Sequence, residues 1–130
     1  MQIVTSAVIE RDGVVLIARR QPGGRLGGKW EFPGGKLEDG ESQEQGLKRE
    51  LDEELGLEVR VDGLIGTTEF RNGPKRYRLF TYRVTPLGKP PIAREHAELR
   101  WVPIEEIDRY DLADSDRSML SRIKRALGRI

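Results

Sequence analysis

The sequence predicts an α/β fold from three observations: short β-branched runs set off by turn residues, a stretch with leucines at every fourth position, and a second apolar stripe of helical spacing near the C-terminus. Residues 3–9 and 14–18 are apolar and rich in Val and Ile. Asp12-Gly13 between them is a two-residue turn signal, so an opening β-hairpin is expected. Residues 21–36, QPGGRLGGKWEFPGGK, carry six glycines and two prolines and read as a long loop; such loops in compact domains are usually functional. Ser42 with Gln45 three positions on forms a capping box, Leu47, Leu51 and Leu55 share a face, and Gly56 suits the stop, which predicts a helix over 42–55. Strands are expected over 59–68 and 77–84 with a turn at Asn72-Gly73-Pro74. A loop over 86–91, a short strand over 99–102 and a helical turn over 103–107 follow. Ser115 or Asp116 is placed to cap a final helix reaching Leu127, with Met119, Leu120, Ile123 and Leu127 as its apolar stripe.

Length and charge bound the function. A chain of 130 residues is expected to be one domain with a buried core, with nothing left over for a second. Its 23 basic and 22 acidic residues nearly cancel, so the one-signed field of a general nucleic-acid binder is missing. There is no cysteine and a single histidine, His96, which excludes disulfides, thiolate metal sites and His-cluster zinc. Any metal must be held by oxygen, which favours magnesium or manganese. The longest apolar run, 14–18, is far below a membrane span and no signal-peptide pattern opens the chain, so a cytoplasmic protein is expected, with no membrane partner.

At roughly 100° per residue, Glu50, Glu53 and Glu54 fall on one stripe of the first helix while the leucines occupy another. Like charges three and four apart cost about 0.2–0.5 kcal/mol per pair unless a cation sits among them. Taken alone, the three would also suit a solvated acidic face. Gly46 lies one turn before Glu50, where alanine would favour the helix by about 1 kcal/mol, so its missing side chain is expected to leave room for a ligand or a close backbone. Upstream, Gly34-Gly35 allow unusual backbone conformations and Lys36 adds a positive charge. Glycine loop, lysine and acidic helix together suit a polyphosphate bridged by metal.

Gly35, Glu41, Arg49, Glu50, Leu51, Glu53, Glu54, Gly56 and Leu57 stand at the spacing G-x5-E-x7-R-E-U-x-E-E-x-G-U, with U a bulky aliphatic residue. This unbroken pattern resembles the Nudix box. The preceding WEFPGGK, from Trp30 to Lys36, resembles the MutT-type branch, which hydrolyses nucleoside triphosphates to monophosphate and pyrophosphate; Glu95-His96-x-x-Leu99-x-Trp101 and the stretch from Leu112 to Leu120 more loosely resemble its CTP-hydrolysing relatives. The resemblance implies a Nudix-type α/β/α sandwich with a mixed β-sheet, Mg2+ as cofactor with Mn2+ as a substitute, and a small nucleotide as substrate. It places the metal on Glu50, Glu53, Glu54 and the Gly34 carbonyl, with Glu95 approaching an additional ion. Arg49 would orient the glutamates, Glu41 would lie near the metal cluster or bond to Arg49, and Lys36 would neutralise phosphate charge. Glu50 and Glu53 are candidates for the base that activates water, with Glu95 as the alternative. Direct attack by water agrees with the absence of cysteine and of an evident Ser-His pair.

At the nucleoside end, the family's base-reading position falls on Asp116, in a stretch lacking the family's two prolines, so Asp114 is a second register and a plain helix cap a third reading. As a carboxylate, Asp116 would favour amino donors such as cytosine N4; an oxidised guanine also offers N–H groups. Arg20 and Arg25 align with nucleotide-touching positions, though both also suit surface charges. Phe32 would pack on base or sugar, and Glu31, Pro33, Gly34 and Gly35 complete the substrate-binding stretch. His96 reads as structural, Trp30 and Trp101 as core or pocket wall. Expected substrates are 8-oxo-dGTP and other oxidised nucleotides, or CTP, dCTP and methylated dCTP. ADP-ribose or a dinucleoside polyphosphate is the alternative, hinted at by Pro74; a nucleotide sensor without hydrolysis is another, opposed by the intact box. A monomer or homodimer is expected.

Overall fold

Strand β1 (Gln2–Arg11) carries the first apolar run and lies mid-sheet, with Ala7, Val8 and Ile9 wholly buried. The structure is a computed structural model and describes residues 1–129. Asp12 and Gly13 both take positive φ, 52° and 81°, as a type I′ turn requires, and lead into β2 (Val14–Arg19). The expected hairpin exists only at its tip, where Glu10 faces Val15 and Arg11 faces Val14. Beyond it the strands part. β1 pairs parallel with β6 (Lys75–Leu87) and antiparallel with β4 (Gly34–Lys36). β2 pairs antiparallel with β7 (Glu98–Pro103) and with β3 (Trp30–Glu31). β5 (Glu58–Asn72) lies antiparallel to β6, so the sheet is mixed and has seven strands among the described residues.

Because successive side chains of a strand point to opposite faces, β1 and β2 feed two cores. Ala7, Ile9 and Leu16 meet Leu47, Leu51 and Leu55 of α1 (Gln43–Leu55) on one face. Val8, Val15 and Ile17 meet Met119, Leu120 and Ile123 on the other. Apolar on both faces, these strands read as continuous runs rather than alternations. The result is the expected α/β/α sandwich. Ser42 Oγ accepts the Gln45 N–H at 3.1 Å and Gln45 Oε1 accepts the Ser42 N–H at 2.9 Å, the capping box that starts α1, while Gly56 at φ 60° ends it. No helix among the described residues is long and apolar enough to cross a membrane.

Three expectations change. The stretch 21–36 is not all loop, since it contains β3 and β4. Gly34 and Gly35 have no positive φ; a Cβ on Gly34 would stand 2.0 Å from the Thr5 carbonyl oxygen, so β4 can approach β1 only as glycine. β5 and β6 run the whole way to their turn, Asn72 facing Lys75. The single final helix is two short ones, α2 (Asp114–Arg117) and α3 (Leu120–Ala126), after a 3₁₀ helix at Ile104–Arg109. Ser118 Oγ donates to the Ser115 carbonyl at 2.6 Å between them, a local bond that competes with the helical ladder. Neither Ser115 nor Asp116 is the cap: Ala113 occupies that position, and Asp116 turns inward and is buried.

Candidate active site

The helix α1 and the strand pair β3 and β4 bring the acidic stripe and the WEFPGGK stretch together. Arg49 organises the stripe. Its Nε and Nη2 grip both oxygens of Glu41 at 2.6 and 2.9 Å, its Nη1 reaches Glu50 and Glu53 at 3.1 Å each, and Nη2 also donates to the Lys36 carbonyl at 3.1 Å. The guanidinium and the Glu38 N–H hold the Glu41 carboxyl down at about 2, and Glu41 in turn raises the pKa of Arg49 above its ordinary value. Of the two alternatives for Glu41, it is therefore the bond to Arg49 that the structure displays. The bidentate grip needs the planar fork of arginine.

Burial grades the three glutamates of the stripe. The side chain of Glu53 is 52% exposed, that of Glu50 is 18% exposed, and that of Glu54 is 8% exposed. Burial, with Glu50, Glu31 and Glu95 close by, pushes the Glu54 carboxyl well above the usual carboxylate range. Crowded acids of this kind accept a cation readily, and an all-oxygen carboxylate set fits a hard divalent ion. A Cβ on Gly35 would fall 2.4 Å from the Glu50 carboxyl carbon, so the backbone passes directly over that carboxylate. The space beside Gly46 is filled by Leu37 and Glu41 rather than left for a ligand, a Cβ there meeting Leu37 Cδ2 at 2.2 Å.

Two cavities flank this arrangement. One, of about 400 Å³, is lined by Glu54, Glu95, His96 and the 20–23 loop. The other, of about 290 Å³, lies against Phe32, Phe70, Tyr77, Leu79 and Asp116. Arg20, Glu31 and Gly34 line both. Arg20 Nη1 bonds Glu31 Oε1 at 3.1 Å. Gly35 and Lys36 line the second cavity, where the Lys36 ammonium stands 5.7 Å from the Tyr77 ring. Pro33 is buried and its carbonyl accepts the Ala7 N–H at 2.8 Å, a fold contact. Arg25 is exposed on its loop, and its neighbour Leu26 lines the cavity.

Asp116 Oδ2 accepts the Phe32 N–H at 3.3 Å, joining α2 to β3 and β4 across 84 residues of chain. Burial and the negative charge of Glu31 raise its carboxyl to about 8, against the weaker lowering by the Phe32 bond. Trp30 belongs to the core, edge-on to Tyr110. Sequence reasoning missed the stacked pair Phe70 and Tyr77, ring centroids 5.0 Å apart, and the contact of His96 with Glu31. Alternation along 77–84 could have put Tyr77 and Leu79 on one face. Nothing in the sequence joins His96 to a residue 65 positions away.

A family model, the NUDIX domain, matches residues 1–123. The chain belongs to the Nudix family. A Mycobacterium tuberculosis protein with the provisional name 8-oxo-dGTP diphosphatase 2 is 41% identical over 97% of this chain and 90% of its own. The CTP pyrophosphohydrolase of Escherichia coli is 39% identical over 90% of this chain and 87% of its own. Among solved structures, the E. coli ORF135 protein superposes with a TM-score of 0.87 at 38% identity, over 98% of this chain and 92% of that one. The MutT protein of Methanosarcina mazei Go1 gives 0.85 at 28% identity, over 97% and 94%. This Nudix protein is a MutT-like hydrolase of nucleotide phosphoanhydrides.

Proposed function

We propose that this Nudix hydrolase is a cytoplasmic pyrophosphohydrolase that converts a nucleoside triphosphate and water to the monophosphate and pyrophosphate, using Mg2+ or, in its place, Mn2+. The observation that carries the reading is the seam of Arg20, Glu31 and Gly34 shared by the two cavities. It lets one ligand lie with its nucleoside against Phe32 and Asp116 and its phosphates toward Glu54 and Glu95.

Glu50, Glu53, Glu54 and the Gly34 carbonyl would hold the metal, with Glu95 beside them. When bound, a divalent ion supplies charge for the phosphate oxygens and lowers the pKa of water. Arg49 holds Glu50 and Glu53 in place from below. Glu53 is half exposed, and its Oε2 alone faces Arg49, which leaves Oε1 to take the proton of the attacking water. Glu50 is the second candidate for that role.

The raised pKa of Asp116 changes how it reads a base. At neutral pH it is mostly a neutral acid, with one donor and one acceptor. That pair matches an edge carrying a donor beside an acceptor, as cytosine N4–H and N3 or 8-oxoguanine N7–H and O6 do. On the same N7–O6 edge, unmodified guanine presents two acceptors. Oxidised guanine and cytosine triphosphates are therefore the proposed substrates, in line with the names of the two relatives.

The test is pyrophosphate release from a panel of normal, methylated and oxidised triphosphates with Mg2+, beside Glu53→Gln. Wild-type release that falls by more than about 100-fold in the variant is expected, beyond what outer partners of a metal site usually contribute. Tight nucleotide binding with no product after long incubation would instead make the chain a sensor. Products from ADP-ribose or dinucleoside polyphosphates alone would move the substrate class.

A further inference from the structure

His96 sits where acids of the two cavities meet. Its side chain is only 7% exposed, and Nε2 lies 2.9 Å from Glu31 Oε2 and 3.7 Å from Glu54 Oε1. The loop that carries the ring is held from two sides. The Arg94 N–H donates to the Glu54 carbonyl at 3.1 Å, and the Ala97 N–H donates to the Arg19 carbonyl at 2.9 Å, fixing the loop to α1 and β2. Glu31 is in turn clamped, with Arg20 on Oε1 and His96 on Oε2.

The other ring nitrogen decides what His96 does. Nδ1 is buried with no hydrogen-bond partner among the described residues. A proton on Nδ1 would leave a buried donor unpaired and set the Nε2 lone pair against two carboxyl groups. The proton therefore lies on Nε2, donated to Glu31. The donor atoms of Glu31, Glu54 and His96 fall within 4.8 Å of one another, a spacing that would also suit a metal ion. Ligation would need the Nε2 lone pair, and it would move the proton to Nδ1, where a ligating histidine normally has an acceptor. This ring has none.

We propose that His96 is a positioning residue: its Nε2–H fixes Glu31 at the seam and sets the spacing between Glu31 and the metal-side carboxyl of Glu54, so that one ring aligns nucleoside engagement with metal binding. The kinetic part of this proposal rests on the pyrophosphohydrolase reading; the metal part does not. His96→Gln keeps an amide N–H near the Nε2 position, whereas His96→Asn withdraws it to the Nδ1 position, and both variants stay polar. Mn2+ alone is titrated by calorimetry, and kcat and KM are measured for pyrophosphate release.

In His96→Asn the Mn2+ dissociation constant and KM are expected to rise about 10-fold or more, with kcat at saturation within about threefold. His96→Gln is expected to recover most of both losses. The proposal fails if the Asn variant binds Mn2+ and nucleotide as the wild type does, or if Gln is no better than Asn, which would make the ring mere packing. A fall in kcat alone would point to proton transfer and overturn it too. So would a 14N coupling in the pulsed EPR spectrum of Mn2+ bound to the wild type that vanishes in the variants, since the ring would then be a ligand. If His96→Asn does not fold, that spectrum and the Mn2+ affinity of His96→Gln decide. Should the wild type hydrolyse no triphosphate, the functional reading falls, while the Mn2+ affinities still judge His96.

Discussion

Asp116 is a carboxyl where a charge is costly, and its titration has a definite sign. Its pKa rises from 3.8 to about 8 on folding. Between those values the folded chain binds more protons than the unfolded one, so stability present at low pH is lost as pH climbs toward 8. Asp116→Asn keeps an oxygen for the Phe32 N–H and does not titrate. Its thermal midpoint is expected to gain on the wild type steadily from about pH 5 to about pH 8.5, and parallel curves would show that the buried charge is not there. The stripe Glu50, Glu53 and Glu54 was legible in the sequence because all three stand on one helix, where spacing sets direction. The unequal burial of the three was not, since it depends on β4, on Glu31 and on the loop that holds His96 and Glu95.

Local pattern named α1 nearly to the residue, because its caps are made by its own neighbours, Ser42, Gln45 and Gly56. It failed for β3 and β4, where the glycines that argue for loop are the ones that let two backbones meet. Gly34 and Gly35 separate the two consequences. A Cβ on Gly34 strikes backbone at Thr5 and Ser6, whereas the atoms nearest to one on Gly35 are those of the Glu50 carboxylate. Gly34→Ala is expected to cost about 1–3 kcal/mol in urea denaturation. Gly35→Ala should lose less stability, while pyrophosphate release falls more steeply than its stability explains because Glu50 is displaced. The reverse order would mean that β4 is not packed against β1 as described. The final helix was over-read for a related reason: Met119, Leu120 and Ile123 do form the buried stripe, but Asp116 is drawn into the core ahead of them and the chain breaks at Ser118.

Over the whole molecule, the crowding of Glu54 by Glu50, Glu31 and Glu95 ties stability to metal. Mg2+ at about 100 times its dissociation constant should add about 2.7 kcal/mol of stability, read as a rise in thermal midpoint. Glu54→Gln removes a buried acid, so its metal-free midpoint is expected to exceed the wild type's while the Mg2+-dependent rise shrinks or disappears. A full Mg2+ response in that variant would place the ion elsewhere. The sequence by itself determined the family, the reaction class and the acidic helix, since the box residues lie within 23 positions, 35–57, and their spacing alone carries the pattern. Only the tertiary structure decided how Asp116 titrates, how Arg20 and His96 clamp Glu31, and that Phe70 and Tyr77 wall the same cavity as Phe32 and Asp116. Each of these depends on burial or on contact between residues far apart in the chain, and neither leaves a local pattern: a carboxyl pKa is set by what folds around it, and no spacing rule connects position 31 with position 96.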